Sequence, residues 1–228
     1  MFGFTLDHKT SSTQLGLRFT APIEIPTATQ KVDDIEVAGR AGSLTRFTGW
    51  RDIEITLPLA VRGGLEAYRQ ASLALVEAST IGLSGEPGLF RYIKHVELSP
   101  FVREMSSWGM FQANLTCQPF TYLATGLKPI TLTGSGTITN PGLLPSEPEI
   151  TLFGTGRLSL TINGHRYTVS SPAGQVTLDS VRLVAHVSGK AQTDALTGPF
   201  PRLVAGENRI ELGEGLSKIA VVGNWRTL

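Results

Sequence analysis

The chain has 228 residues, 41% of them apolar, and a formal net charge of +1. It is long enough to bury sizeable cores, and it lacks the basic excess that drives binding to nucleic-acid phosphates, so sequence-specific nucleic-acid recognition is not expected. One cysteine excludes an intrachain disulfide framework and a thiolate-rich zinc site, and the absence of any run of about eighteen apolar residues argues against membrane insertion by a helix.

Phe2-Gly3-Phe4-Thr5 is followed by Asp7 and polar residues, which does not read as a signal peptide, and the expectation is a chain made and folded in a cytoplasm. Short strands are predicted near 3–6, 14–19, 32–38, 43–47 and 52–61, with Pro22 and Pro26 marking an irregular connection between the second and third. The most informative stretch runs from Asp33 to Leu44 and holds two β-segments joined through Gly39-Arg40-Ala41-Gly42. The strand after it alternates strictly. Ile53, Ile55, Leu57, Leu59 and Val61 fall on one face, and Asp52, Glu54, Thr56 and Pro58 on the other, so one face meets a core and the other meets water or a partner.

Gly63-Gly64 ends the strand character, and the period changes. Leu65, Tyr68, Ser72, Leu75, Val76 and Ser79 recur at spacings of three or four, with Glu66, Arg69, Gln70 and Glu77 elsewhere. Ala71, Ala74 and Ala78 suit a helix, so one helix is predicted over about 64–79 with one face on a sheet. A loop is expected through Gly82, Gly85, Pro87 and Gly88, and strands resume at 89–98 and 110–118. In the second of these, Phe111, Ala113, Leu115 and Cys117 form the inward set, which makes Cys117 a buried small residue in place of a nucleophile.

Beyond Tyr122 no helical period appears. Strands are predicted at 130–133, 149–153, 157–162, 165–169, 175–178, 181–187, 208–212 and 217–222. Asn163-Gly164 is the clearest tight hairpin, because both residues accept positive φ. In the 181–187 segment Val181, Leu183, Ala185 and Val187 alternate with Arg182, Val184 and His186. Many short strands at regular spacing argue a sandwich, and the aperiodic stretch 123–130 marks a boundary between domains 1–125 and 126–228.

The search for chemistry returns bland readings. His8, His95, His165 and His186 have no helical metal spacing. Asp33, Asp34 and Glu36 have no matching acidic partner and read as a solvated edge or a subunit contact. Gly134-Ser135-Gly136 and Gly154-Thr155-Gly156 open no helix and read as turns, not phosphate loops. No cofactor, metal or catalytic residue is assigned. Among Trp50, Trp108 and Trp225, the first, beside Gly49 at a hairpin end, is the one suspected of meeting a partner.

The 33–44 stretch followed by its alternating strand resembles the N-terminal signature of the distal tail proteins of long-tailed, non-contractile bacteriophages and related prophages. Phe4-Thr5-Leu6-Asp7, Leu15-Gly16-Leu17-Arg18 and Ile23-Glu24-Ile25-Pro26 are similar too. So are the segment Phe111 to Phe120, Thr139-Asn140-Pro141-Gly142, Ser146 to Ile150, Phe200 to Ile210, and the ending Asn224-Trp225-Arg226-Thr227-Leu228. Ala41 stands where an acidic or polar residue is common, and Trp50 near a position often taken by Tyr.

The resemblance implies a mainly β chain: an N-terminal β-sandwich with one α-helix, then a galectin-like β-sandwich too short for extra carbohydrate-binding insertions. It implies a virion component of the phage tail tip, assembled in the bacterial host cytoplasm and not an enzyme. Six copies would form a ring, a homo-hexamer, joining the major tail tube protein to the tail-associated tip or adhesion protein, with tape-measure and receptor-binding proteins as further partners. Ile35, Val37, Leu44, Phe47 and Trp50 are the apolar ring-interface candidates, and Arg40, Arg46 and Arg51 the orienting ones. The rival reading is a carbohydrate-binding module for host-surface recognition, resting on the all-β second half with Tyr167 and the tryptophans.

Overall fold

The computed structural model describes residues 2–105, 107–171, 173–192 and 194–228. It divides into two compact units, Met1–Thr121 with Leu228, and Tyr122–Thr227.

The first unit contains β1 (Phe4–Leu6), β2 (Thr10–Ser11), β3 (Leu17–Phe19), β4 (Gln30–Ile35), β5 (Leu44–Trp50), β6 (Ile53–Arg62), α1 (Gly64–Glu77), β7 (Thr80–Leu83), β8 (Leu89–Leu98), β9 (Val102–Met105) and β10 (Trp108–Cys117). The period-two pattern of residues 53–61 becomes β6, which pairs antiparallel with β10 from Ile53↔Cys117 to Arg62↔Trp108. Paired residues share a face, so Ile55, Leu57 and Leu59 stand beside Leu115, Ala113 and Phe111, all buried. On the other face the Thr56 hydroxyl donates to Asn114 Oδ1 at 3.0 Å.

The path β2-β1-β7-β8-β10-β6-β3 is antiparallel throughout. Its bend is β8, whose first half pairs with β7 and whose second half pairs with β10. Phe4, Leu6, Ile81 and Leu83 thereby reach the same core as Ile55, Leu57 and Leu59. Burying each such side chain contributes about 2 kcal/mol before the cost of chain ordering.

Helix α1 seats on this core through Gly64, Ala71 and Leu75, with Ala78 just beyond it. Tyr68 stacks on Phe101 with ring centroids 4.6 Å apart. The predicted inward face needs correction, because Leu65 and Val76 are exposed, as is Leu73. Leu75 and Tyr68 of the predicted set do pack inward, but the contact centres on Ala71 and Leu75, which leaves Leu65 and Val76 at its margin. Strands β7 and β9 escaped the sequence reading, and Gly82, expected in a loop, lies inside β7. Residues 36–38, predicted as strand, belong to a turn region, while the paired segment begins earlier, at Gln30. Of the predicted 14–19 strand only Leu17–Phe19 pairs.

The second unit holds β11 (Thr121–Leu123, its first residue in unit 1), β12 (Ile130–Leu132), β13 (Gly136–Asn140), β14 (Glu149–Phe153), β15 (Gly156–Ile162), β16 (His165–Ser171), β17 (Gln175–Asp179), β18 (Val184–Val187), β19 (Lys190–Ala191), β20 (Leu196–Thr197), β21 (Gly206–Leu212), β22 (Lys218–Val222) and β23 (Arg226–Thr227). Two antiparallel sheets, β12-β22-β14-β17-β18-β19 and β13-β21-β15-β16-β20, share one core. Ile150, Leu152, Leu178 and Val221 enter it from the first sheet, and Ile138, Leu158, Leu160, Val169 and Ile210 from the second. The chain is therefore mainly β with a single α-helix among the described residues.

Asn163 and Gly164 adopt φ of 50° and 82° and close β15 on β16, as their chemistry demands. Asn163 also donates to Asn208 Oδ1 at 2.9 Å and accepts from the Arg209 N–H at 2.8 Å. The aperiodic stretch near 123–130 is a 3₁₀ turn, Ala124–Leu127, tied to the chain end. The Leu123 N–H donates to the Trp225 carbonyl at 2.9 Å, the Asn224 N–H to the Gly126 carbonyl at 3.1 Å, and Trp225 is buried. The predicted strand over 181–187 is half wrong. Residues 181–183 form a turn, because Asp179 Oδ1 accepts the N–H groups of Val181 and Arg182 and bends the chain before β18.

Two outcomes follow from these cores. Leu57→Ala should lower the stability of the first unit by about 3 kcal/mol in urea unfolding, whereas Leu73→Ala on the exposed helix face should change it by less than about 0.5 kcal/mol. Cys117 is fully buried, and burial pushes its thiol up to about 11, with Arg91 pulling weakly the other way. At pH 8 the folded protein should therefore leave a disulfide reagent nearly unreacted, and one thiol per chain should appear on denaturation.

Candidate subunit interface

Strands β4 and β5 pair only with each other among the described residues. They form an arm outside the main sheet, with Val32 opposite Phe47, Asp33 opposite Arg46, Asp34 opposite Thr45 and Ile35 opposite Leu44. The 36–43 connection carries left-handed Gly39 and Gly42, and the Arg40 N–H donates to the Val37 carbonyl at 3.1 Å. Two side-chain bonds stiffen the arm. The Thr45 hydroxyl donates to Asp34 Oδ1 at 2.7 Å and the Thr48 hydroxyl to the Lys31 carbonyl at 3.0 Å. A register shift at Lys31/Val32 adds local twist.

Alternation splits the arm into two faces, one with Val32, Thr45 and Phe47, the other with Ile35, Leu44, Arg46 and Asp33. Apolar side chains stand on both. Phe47 is 52% exposed, Ile35 45%, and Val37 and Leu44 42% each. A two-stranded ribbon is marginal in water by itself, and this one has no cover over either apolar face within its own chain. Its outer edges also leave backbone N–H and C=O groups available to a neighbour.

All eight predicted interface residues lie on this arm or at its root. Ile35, Leu44, Arg46 and Phe47 belong to the ladder, Val37 and Arg40 to the connection, and Arg51 follows β5, its N–H donating to the Thr29 carbonyl at 2.9 Å. Trp50 has a different role from its neighbours. Partly buried, it meets Phe120 edge-to-face at 5.7 Å and Phe47 at 5.9 Å, so it anchors the arm to the first core. Val32, 38% exposed, is not among the eight candidates, because period two places it with Asp34 on the face opposite Ile35, and only the pairing with Phe47 shows an apolar neighbour there.

The four histidines are dispersed. His8 stands edge-on to Phe90, His95 lies 3.4 Å from Glu97, His165 stands edge-on to Tyr167, and His186 keeps a buried Nδ1 without a hydrogen-bond partner. Among the described residues no group of three or more His, Cys, Asp or Glu is placed to hold a metal ion, and no helix is long and apolar enough to cross a membrane.

No protein-family model and no curated protein sequence matches this chain. Solved structures do. The Dit protein of phage SPP1, described as a paradigm of the hub adsorption apparatus in phages infecting Gram-positive bacteria, superposes with a TM-score of 0.66 at 14% identity, covering 97% of this chain and 98% of its own. A chain of the phage p2 baseplate in its activated conformation with Sr gives a TM-score of 0.52 at 9% identity, covering 96% of each. From end to end, this chain has the fold of the phage tail hub protein SPP1 Dit.

Proposed function

We propose that the chain is a distal tail protein, a structural subunit of a phage tail tip that closes in six copies into a ring. The observation that carries this reading is the arm, an uncovered ribbon with apolar side chains on both faces, in a chain whose whole length shares the hub fold. A ring is built from head-to-tail contacts that close by rotation, and such contacts need two different surfaces on one subunit. The arm is one of them. Ile35, Val37, Leu44 and Phe47 supply apolar area, Arg40, Arg46 and Arg51 set orientation, and Trp50 holds the arm at its root.

In this role the ring sits between the major tail tube protein on one side and the tip or adhesion protein on the other, with tape-measure and receptor-binding proteins as further contacts. Assembly takes place in the host cytoplasm before the particle is released. A net charge of +1 suits a subunit packed against several neighbours, since it brings little long-range self-repulsion.

The test is mass in solution by light scattering, with and without the arm's apolar tips. The unaltered protein should give a mass of six chains. Phe47→Glu with Ile35→Glu should give one chain and an unchanged far-UV circular dichroism spectrum, because a charge on each exposed anchor costs about 2 kcal/mol or more at every subunit contact while leaving the cores intact. A hexamer that survives this double change would remove the arm from the contact, and a chain that stays single at high concentration beside tube and tip proteins would remove the ring.

A further inference from the structure

The second unit contains a concave site whose lining residues are all remote in sequence from the arm. A cavity of about 720 Å³ opens among Ile162, Tyr167, Ser180, Leu183, Phe200 and Arg202, a size usual for ligand sites. One wall carries a polar group without a partner: Ser180 Oγ is buried and unbonded. Buried polar atoms are nearly always paired, so an unpaired one on a cavity wall points to something that completes it.

Leu183 is the second observation. It is 67% exposed and holds φ at 55°, a conformation that Asn or Gly adopts far more readily than a branched apolar residue. Neither core packing nor solvation explains a leucine there, and the turn is fixed by Asp179 whatever side chain follows. Val204, also exposed, extends the apolar rim.

Charge is the third. Glu147, the carboxylate at this site, is held by both guanidinium nitrogens of Arg226 at 3.2 and 3.3 Å. Arg202 reaches it only at 3.4 Å, and its side chain is 70% open to solvent. The rim therefore carries one cation with spare capacity, Arg202, beside an apolar centre. A sugar ring would need an open aromatic plane; Tyr167 is buried with His165 edge-on to it and Phe200 is half-buried, while the most open apolar walls are Leu183 and Val204.

We infer that this cavity docks an extended segment of a partner protein, which inserts one apolar side chain against Leu183 and Phe200 and sets an adjacent carboxylate on Arg202. Ser180 supplies a hydrogen bond to the backbone of the inserted segment.

Methyl NMR on the full-length protein, which reads the site in a single chain or a ring alike, tests this with capped tetrapeptides and sugars. Acetyl-Ala-Leu-Asp-Glu-amide should shift the Leu183 and Val204 methyl signals saturably, and acetyl-Ala-Leu-Asn-Gln-amide should bind about fivefold more weakly. Arg202→Gln should bring the acidic peptide down to the level of the neutral one. Leu183→Asn should abolish the shifts at Val204 with no loss of thermal stability, because Asn suits the left-handed backbone. Equal binding of both peptides, no saturable shift from either, or saturable binding of glucose, N-acetylglucosamine or galacturonate in their place would each overturn the inference.

Discussion

The first unit depends on the β6–β10 ladder. Ten consecutive pairs, Ile53↔Cys117 through Arg62↔Trp108, place two alternating sequences in one register. A slip of a single residue would turn the inward set of one strand to solvent and its polar set into the core, so the pattern excludes odd-numbered slips. The helix and the strands β1 and β7 bring their buried residues to this face. Strand β8 carries the sheet round to β7 and β1, and α1 sets its alanines against the layer that results.

Among the described residues the arm is the one separate two-stranded ribbon, and it has no core of its own. The main strands bury one face and solvate the other, whereas β4 and β5 put apolar groups on both faces and bury neither. The root of the arm is held to the body by contacts distant in the chain. Trp50 packs on Phe120, Arg51 bonds Thr29, and Ala28 is buried beneath them, so the ribbon leaves the body at a fixed place.

The second unit divides its labour in the same way. Its core is an ordinary two-sheet sandwich, held at one corner by Trp225 and the 3₁₀ turn. Its unusual features gather at one place: an exposed leucine in a left-handed backbone, an unpaired buried hydroxyl and a carboxylate already neutralised by arginine. Departures from local preference that serve no packing purpose are where interaction surfaces are expected.

By itself the sequence determined what local chemistry can determine. Period-two runs fixed β6 and β10 and their inward residues, Asn163-Gly164 fixed its hairpin, and the alanine-rich segment fixed the position of the helix. The eight arm residues were legible as a group because they share one short β–turn–β stretch. Only the tertiary structure decided where the inward face of α1 is centred, because the helical period fits Ala71 and Leu75 at the centre as well as Leu65 and Val76. It also decided that the arm is free of the main sheet and that Trp50 is an anchor, since both rest on partners distant in the chain, Phe120 above all. The cavity at Leu183 was illegible for the same reason. Its walls come from strands and turns scattered between Glu147 and Val204, and an apparent alternation over 181–187 concealed a turn that a single carboxylate, Asp179, imposes through space.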